Sequence, residues 1–113
     1  MDDPLVTLWR PVCDRERDLM AAADMRGYPP RLLPEQPFLY VVLSEAYATK
    51  IARDWVGPYD RSYVTRCQVR AAFLANYTIK KAGEQDEYWI PAADLAAFNA
   101  AIVGQIEIVA KFP

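Results

Sequence analysis

Four prolines fall within residues 28–37, YPPRLLPEQP, and no regular element can run through them. Proline has no N–H to donate and a fixed φ, so it blocks helix and ladder hydrogen bonds alike. The run predicts a stiff loop of some length. Rigid loops of this kind commonly border a cleft. With nine prolines in 113 residues, the chain should have other short, stiff connections as well.

The segments around the loop alternate between strand and helix patterns. PLVTLWRPV, residues 4–12, is β-branched and alternating and reads as a strand. CDRERDLMAAADMRG, residues 13–27, reads as a helix with Asp14 as N-cap and Glu16 in its first turn. Leu19, Met20 and Ala23 form its apolar face, and Gly27 is its stop. FLYVVL, residues 38–43, is continuously apolar, which predicts a central strand buried on both faces. Ser44 then caps SEAYATKIARDW, a helix with Ala48, Ile51, Ala52 and Trp55 on one stripe. A turn follows at VGPYDRS. In YVTRCQV, residues 63–69, Val64, Arg66 and Gln68 oppose Tyr63, Thr65, Cys67 and Val69, the pattern of a half-buried strand.

The remainder is shorter-ranged. RAAFLANY suits a helical turn, TIKKAGEQ a weak strand and loop, and DEYWI a strand. PAADLAAFNAAIVG, residues 91–104, suits a helix with Leu95, Phe98 and Ile102 on one face and Gly104 at its end. QIEIVAKF closes the chain as a strand in which Ile106, Ile108 and Ala110 oppose Glu107, Val109 and Lys111. The sum is a single α+β domain, residues 1–113, with a mixed or mainly antiparallel sheet of five to six strands and about three helices.

Composition narrows the function. At 53% hydrophobic and 25% charged residues the chain is globular rather than disordered. A net charge of −2 without a basic stripe argues against a nucleic-acid partner. No apolar run approaches the ~20 residues that cross a bilayer, so no membrane role is expected. The acidic start MDDP does not resemble a secretory leader, and Cys13 and Cys67 suit two reduced thiols. Both point to a cytoplasmic protein of bacterial type. There is no histidine, which removes Ser-His and Cys-His nucleophile pairs and nearly all mixed zinc sites, and two cysteines cannot make a four-thiolate site. No metal is expected, and any catalysis falls to carboxylates, arginines, hydroxyls and aromatics.

Three residues are candidates for chemistry. Arg10 ends the first strand, where its planar fork could clamp a phosphate or pair with surface carboxylates. Ser44 is first an N-cap, although the helix start it caps also presents free N–H groups to anions. Glu87, beside Tyr88 and Trp89, is either a desolvated functional carboxylate or the solvated start of a strand. Trp9, Tyr28, Tyr40, Tyr47, Trp55, Tyr63 and Trp89 supply core and cleft wall.

The phrases LWRPV, PPR, YVVLSEAYATKIARDW, YVTRCQVRAAFL and DEYWIPAADLAAFNAAIVGQIEIV, spanning about Leu8 to Val109, resemble a family of small bacterial proteins that often carries the automatic label "ADP-ribosylation/crystallin". The chain is too short and too strand-rich for the ADP-ribosylglycohydrolases that this label evokes. The order of features is also distantly similar to ADP-ribosyltransferases of the arginine-serine-glutamate type. That resemblance implies a reduced form of their fold, with NAD as cofactor. Arg10 would hold NAD phosphate or ribose, and Ser44 would support the site. Glu87 would be catalytic, bonding the nicotinamide-ribose hydroxyl. Gln85, two residues before Glu87, matches the polar partner in enzymes that modify arginine, and Tyr40 joins the cofactor-binding set. The strand reads VVLSE where that family carries serine-threonine-serine. Two functions are therefore expected: NAD or ADP-ribose binding with ADP-ribosyl transfer, or a non-catalytic, antitoxin-like protein-interaction module. The cleft is expected between PPRLLPEQP and the strand of Glu87.

Overall fold

The computed structural model describes residues 4–29, 38–54, 61–82 and 85–112. Residues 30–37 of the proline-rich loop, Trp55 and most of the following turn lie outside the described residues. Six strands, β1 (Leu5–Cys13), β2 (Phe38–Val42), β3 (Ser62–Arg70), β4 (Lys80–Ala82), β5 (Gln85–Pro91) and β6 (Glu107–Phe112), form one sheet in the order β4-β5-β2-β1-β3-β6. Every neighbouring pair is antiparallel. Helices α1 (Asp14–Ala22), α2 (Glu45–Asp54), α3 (Ala71–Leu74) and α4 (Leu95–Ala100) connect the strands. The radius of gyration, 13.4 Å, is that of one compact domain, for which ~13 Å is usual at about this length. No helix among the described residues is long and apolar enough to cross a membrane.

Strand alternation gives the two sheet faces different work. Leu8 and Val12 of β1, Leu39 and Val41 of β2, Cys67 and Val69 of β3, and Tyr88 and Ile90 of β5 share one face. They pack with Met20, Leu74, Leu95 and Phe98 into the larger core. On the other face, Ala48 and Ala52 of α2 are fully buried against Val42 and Val64, flanked by Trp9, Tyr47 and Phe112. The small alanines let the helix lie close over β1 and β3. Toward β5, α2 extends the side chain of Tyr47.

Both sheet edges are protected against pairing with another chain. β4 is three residues long and carries Lys80 and Lys81. β6 bulges where Val64 pairs with Ala110 and Thr65 with Ile108, which leaves Val109 without a partner.

Several local expectations are corrected. Asp14 is the first residue of α1 and not its cap. Cys13 occupies the cap position without a side-chain bond, and the Asp14 carboxylate accepts from the Tyr63 hydroxyl at 2.8 Å. The buried face of α1 is Glu16 and Met20, while Leu19 is exposed. The helix ends at Ala22, well before Gly27. Asp24 and Met25 take left-handed φ angles of 59° and 56° to make the turn. Their carbonyls are held from the far end of the chain, by Gln105 Nε2 at 2.9 Å and by the Ile106 N–H at 2.6 Å. Gly27 is needed for space: a Cβ there would meet Asn99 Cγ at 2.7 Å.

The helix expected over 91–104 is a 3-10 turn, Ala92–Asp94, followed by a short α4. Leu95 and Phe98 are buried as their spacing predicts, but Ile102 leaves the helix to bridge Val69. The β3 backbone competes successfully there. Arg70 N–H donates to the Ala101 carbonyl at 3.1 Å, and Val103 N–H donates to the Gln68 carbonyl at 2.8 Å. In the last strand, the bulge breaks the expected alternation and leaves Ile108 exposed.

Candidate functional site

β1 and β2 are joined by a single Cα pair, Trp9 opposite Val42, whereas β1 and β3 pair along their whole lengths. Pro11 has no N–H to contribute to either ladder. Arg10 works at this thin seam. Its Nη1 donates to the Tyr40 carbonyl of β2 at 2.9 Å. Its Nε and Nη2 fork onto the two oxygens of Glu16, at 2.7 and 3.0 Å. The guanidinium carbon lies 5.9 Å from the centre of the Tyr28 ring. The Tyr28 hydroxyl shares a 2.9 Å hydrogen bond with Thr65 Oγ1, which itself donates to the Arg10 carbonyl at 2.7 Å. Burial drives the Tyr28 hydroxyl well above its ordinary pKa and pushes the Cys67 thiol up to about 12. Arg10 is thus a buried cation with a bidentate carboxylate and a carbonyl acceptor, set in the larger core.

Glu87 is also buried, but on the other side of the sheet. Trp9, Val42 and Glu87 stand in one cross-strand row, so they share a face. Arg10, next to Trp9 on the same strand, points the opposite way. The arginine and the glutamate of the expected triad therefore do not converge. Ser44 does lie on the Glu87 side. Its Oγ accepts the Tyr47 N–H at 3.1 Å, the N-cap bond that its sequence position predicts. That bond sets the first turn of α2 and so aims Tyr47, whose hydroxyl donates to Glu87 Oε2 at 3.2 Å. Trp89 Nε1 donates to Glu87 Oε1 at 3.1 Å. Burial, then the adjacent Glu87 carboxylate, raises the Tyr47 pKa. Both donors to Glu87 are neutral, and among the described residues no cation forms a direct ion pair with it.

Beside Glu87 the sheet face is aromatic. Tyr40 stands opposite Trp89, with ring centres 5.5 Å apart in an edge-on arrangement. Phe38, two residues before Tyr40 on the same face, is 6.2 Å from Tyr40 and 5.8 Å from Trp89. Tyr40 is 37% exposed, and Phe38 and Trp89 are half-buried. This overturns the expectation that β2 is covered on both faces: α2 lies over β1 and β3 and leaves the aromatic end of β2 partly open. Lys80, paired in register with Glu87, holds its ammonium 6.0 Å from the Trp89 ring centre. Gln85, half-buried, shares the face by alternation with Glu87 and Trp89.

Four of the five residues picked from sequence, Ser44, Tyr40, Gln85 and Glu87, therefore gather around one face, and Arg10 does not. Sequence pattern alone assigns no site role to Phe38 or to Glu16. Phe38 was legible as the i−2 neighbour of Tyr40. Glu16 was legible from its i, i+4 spacing to Met20. Among the described residues no group of three acidic or cysteine side chains gathers to hold a metal. No protein-family model matches the chain, and no curated protein matches it either.

Proposed function

We propose that this chain is a small, non-catalytic interaction module of the cytoplasm that receives its partner on the aromatic face formed by Phe38, Tyr40 and Trp89. One observation carries the reading: a tyrosine on an interior strand is more than one-third exposed, with two further aromatics and a buried carboxylate around it. Exposed aromatics on a rigid strand are good anchors, because they bury much area at little entropic cost. The protected edges β4 and β6 favour a face over strand addition as the means of contact. Two free cysteines are consistent with a reducing compartment.

A second reading, NAD or ADP-ribose binding, is supported by the common face of Tyr40, Gln85 and Glu87 and by the link from Ser44 through Tyr47 to Glu87. ADP-ribosyl transfer through an Arg10–Ser44–Glu87 triad lacks that support, since Arg10 faces the larger core and is engaged by Glu16.

Thermal unfolding with NAD, ADP-ribose or nicotinamide, combined with co-purification of wild type and Tyr40→Ala as paired baits, separates the readings. A ligand at ~100 times its dissociation constant adds about 2.7 kcal/mol to stability. No shift, with one stoichiometric partner lost on Tyr40→Ala, supports the module. A shift with NAD or ADP-ribose that Tyr40→Ala or Glu87→Gln removes supports the nucleotide reading and sinks the first.

A further inference from the structure

We infer that the occupant of this face is the guanidinium of an arginine in a partner protein, stacked against Tyr40 and Trp89 and hydrogen-bonded to Glu87. The inference rests on the interaction-module reading and names the chemistry of the partner. Glu87 is 8% exposed and receives one neutral donor on each oxygen, which leaves further lone pairs and, among the described residues, no direct ion-pair partner. A buried charge is ordinarily paired. Arg10, on the opposite face, has such pairing in full.

The rings beside Glu87 supply the second half of a cation site. Aromatic faces attract cations within about 6 Å of their centres. The chain's own Lys80 already stands at that distance from Trp89, from the position opposite Glu87. Its ammonium is a weak occupant, being strongly hydrated and carried by an exposed lysine on a three-residue edge strand. A guanidinium is flat, less hydrated, and can stack on a ring while directing its N–H groups to a carboxylate. The net charge of −2 favours a basic segment over an acidic one.

The probes are tri-arginine amide and tri-lysine amide, equal in charge, titrated into the full chain by calorimetry and by nitrogen-15 NMR. Tri-arginine should bind about tenfold more tightly than tri-lysine and move the Trp89 indole N–H resonance. Tyr40→Ala and Glu87→Gln should each abolish that preference while the remaining spectrum stays folded. Glu107→Gln, which removes an exposed carboxylate paired with Arg66 near the far edge of the sheet, should leave it intact.

Equal affinity for the two peptides, with shifts spread over the acidic surface, overturns the inference. So does the absence of binding, or a concentration-dependent dimer that buries Tyr40. If a partner is lost on Tyr40→Ala yet tri-arginine does not bind, the module stands and the arginine fails. If ADP-ribose alone moves the Trp89 indole, both fail.

Discussion

Arg10 and Glu87 are both buried charges in one sheet, less than three strands apart, and their surroundings differ in kind. The arginine is enclosed by its own chain: a bidentate carboxylate, a backbone carbonyl and the face of Tyr28. Among the described residues, the glutamate is held by a phenol and an indole alone, at the border of a half-exposed aromatic surface. A charge saturated internally can stabilise or specify a fold, but it has little left to offer a ligand. A charge held by neutral donors is oriented and still has something to bind. The contrast places Arg10 in the architecture and underlies the proposal that Glu87 serves recognition, and each half can be broken separately.

The largest effect is expected at Glu16. Glu16→Ala leaves the Arg10 guanidinium buried without its carboxylate, which should cost about 3–5 kcal/mol in urea unfolding. Replacing both partners, Arg10→Met with Glu16→Leu, should recover most of that loss, because an apolar pair removes the desolvation penalty along with the attraction. A loss below about 1 kcal/mol for Glu16→Ala would remove the architectural role given to Arg10.

The same core should respond to alkali. The Cys67 thiol, ordinarily near ~8.5, is pushed up to about 12 by burial. The folded state keeps this proton where the unfolded chain has released it. Its contribution is therefore complete below about pH 8.5 and declines as pH rises toward 12. The melting temperature should fall through that window, and Cys67→Ala should flatten the early part of the fall. Tyr28, raised by burial, continues the decline above about pH 10 in both proteins. Identical slopes for wild type and variant would show that the thiol titrates freely.

On the recognition side the stability effects should be smaller. Tyr47→Phe removes one of the two donors to Glu87 and should cost about 1–2 kcal/mol. It should weaken any ligand bound at Glu87, because the carboxylate loses part of its orientation. A variant that loses stability without changing ligand affinity would separate Glu87 from the binding face.

How much of this was legible follows from the range of each interaction. The β3 strand read correctly because alternation is local: Val64, Arg66 and Gln68 do oppose Tyr63, Thr65 and Cys67. Ser44 read correctly because a cap acts within one turn. The left-handed turn at Asp24 and Met25 was not legible, since its bonds come from residues 105 and 106. Nor was the early end of α4, which depends on β3 carbonyls and amides. The continuous apolar run of β2 suggested burial on both faces, but where α2 crosses the sheet is a tertiary fact that no local pattern in FLYVVL carries. The separation of Arg10 from Glu87 hangs on the register of three strands, in which a shift of one residue would reverse it.

The smallest stability effect and the clearest division of roles should come from Tyr40→Ala. Tyr40 touches Phe38 and Trp89 but is 37% exposed, so its truncation should cost only about 0.5–1.5 kcal/mol, the usual worth of an aromatic pair. Its backbone carbonyl, the acceptor for Arg10, is unchanged by the substitution, so the β1–β2 seam should survive. Amide hydrogen exchange across β1 and β2 should match wild type while ligand affinity drops. Exchange that accelerates across the seam would mean that the aromatic face holds the sheet together, and Phe38, Tyr40 and Trp89 would then join Arg10 on the architectural side of the comparison.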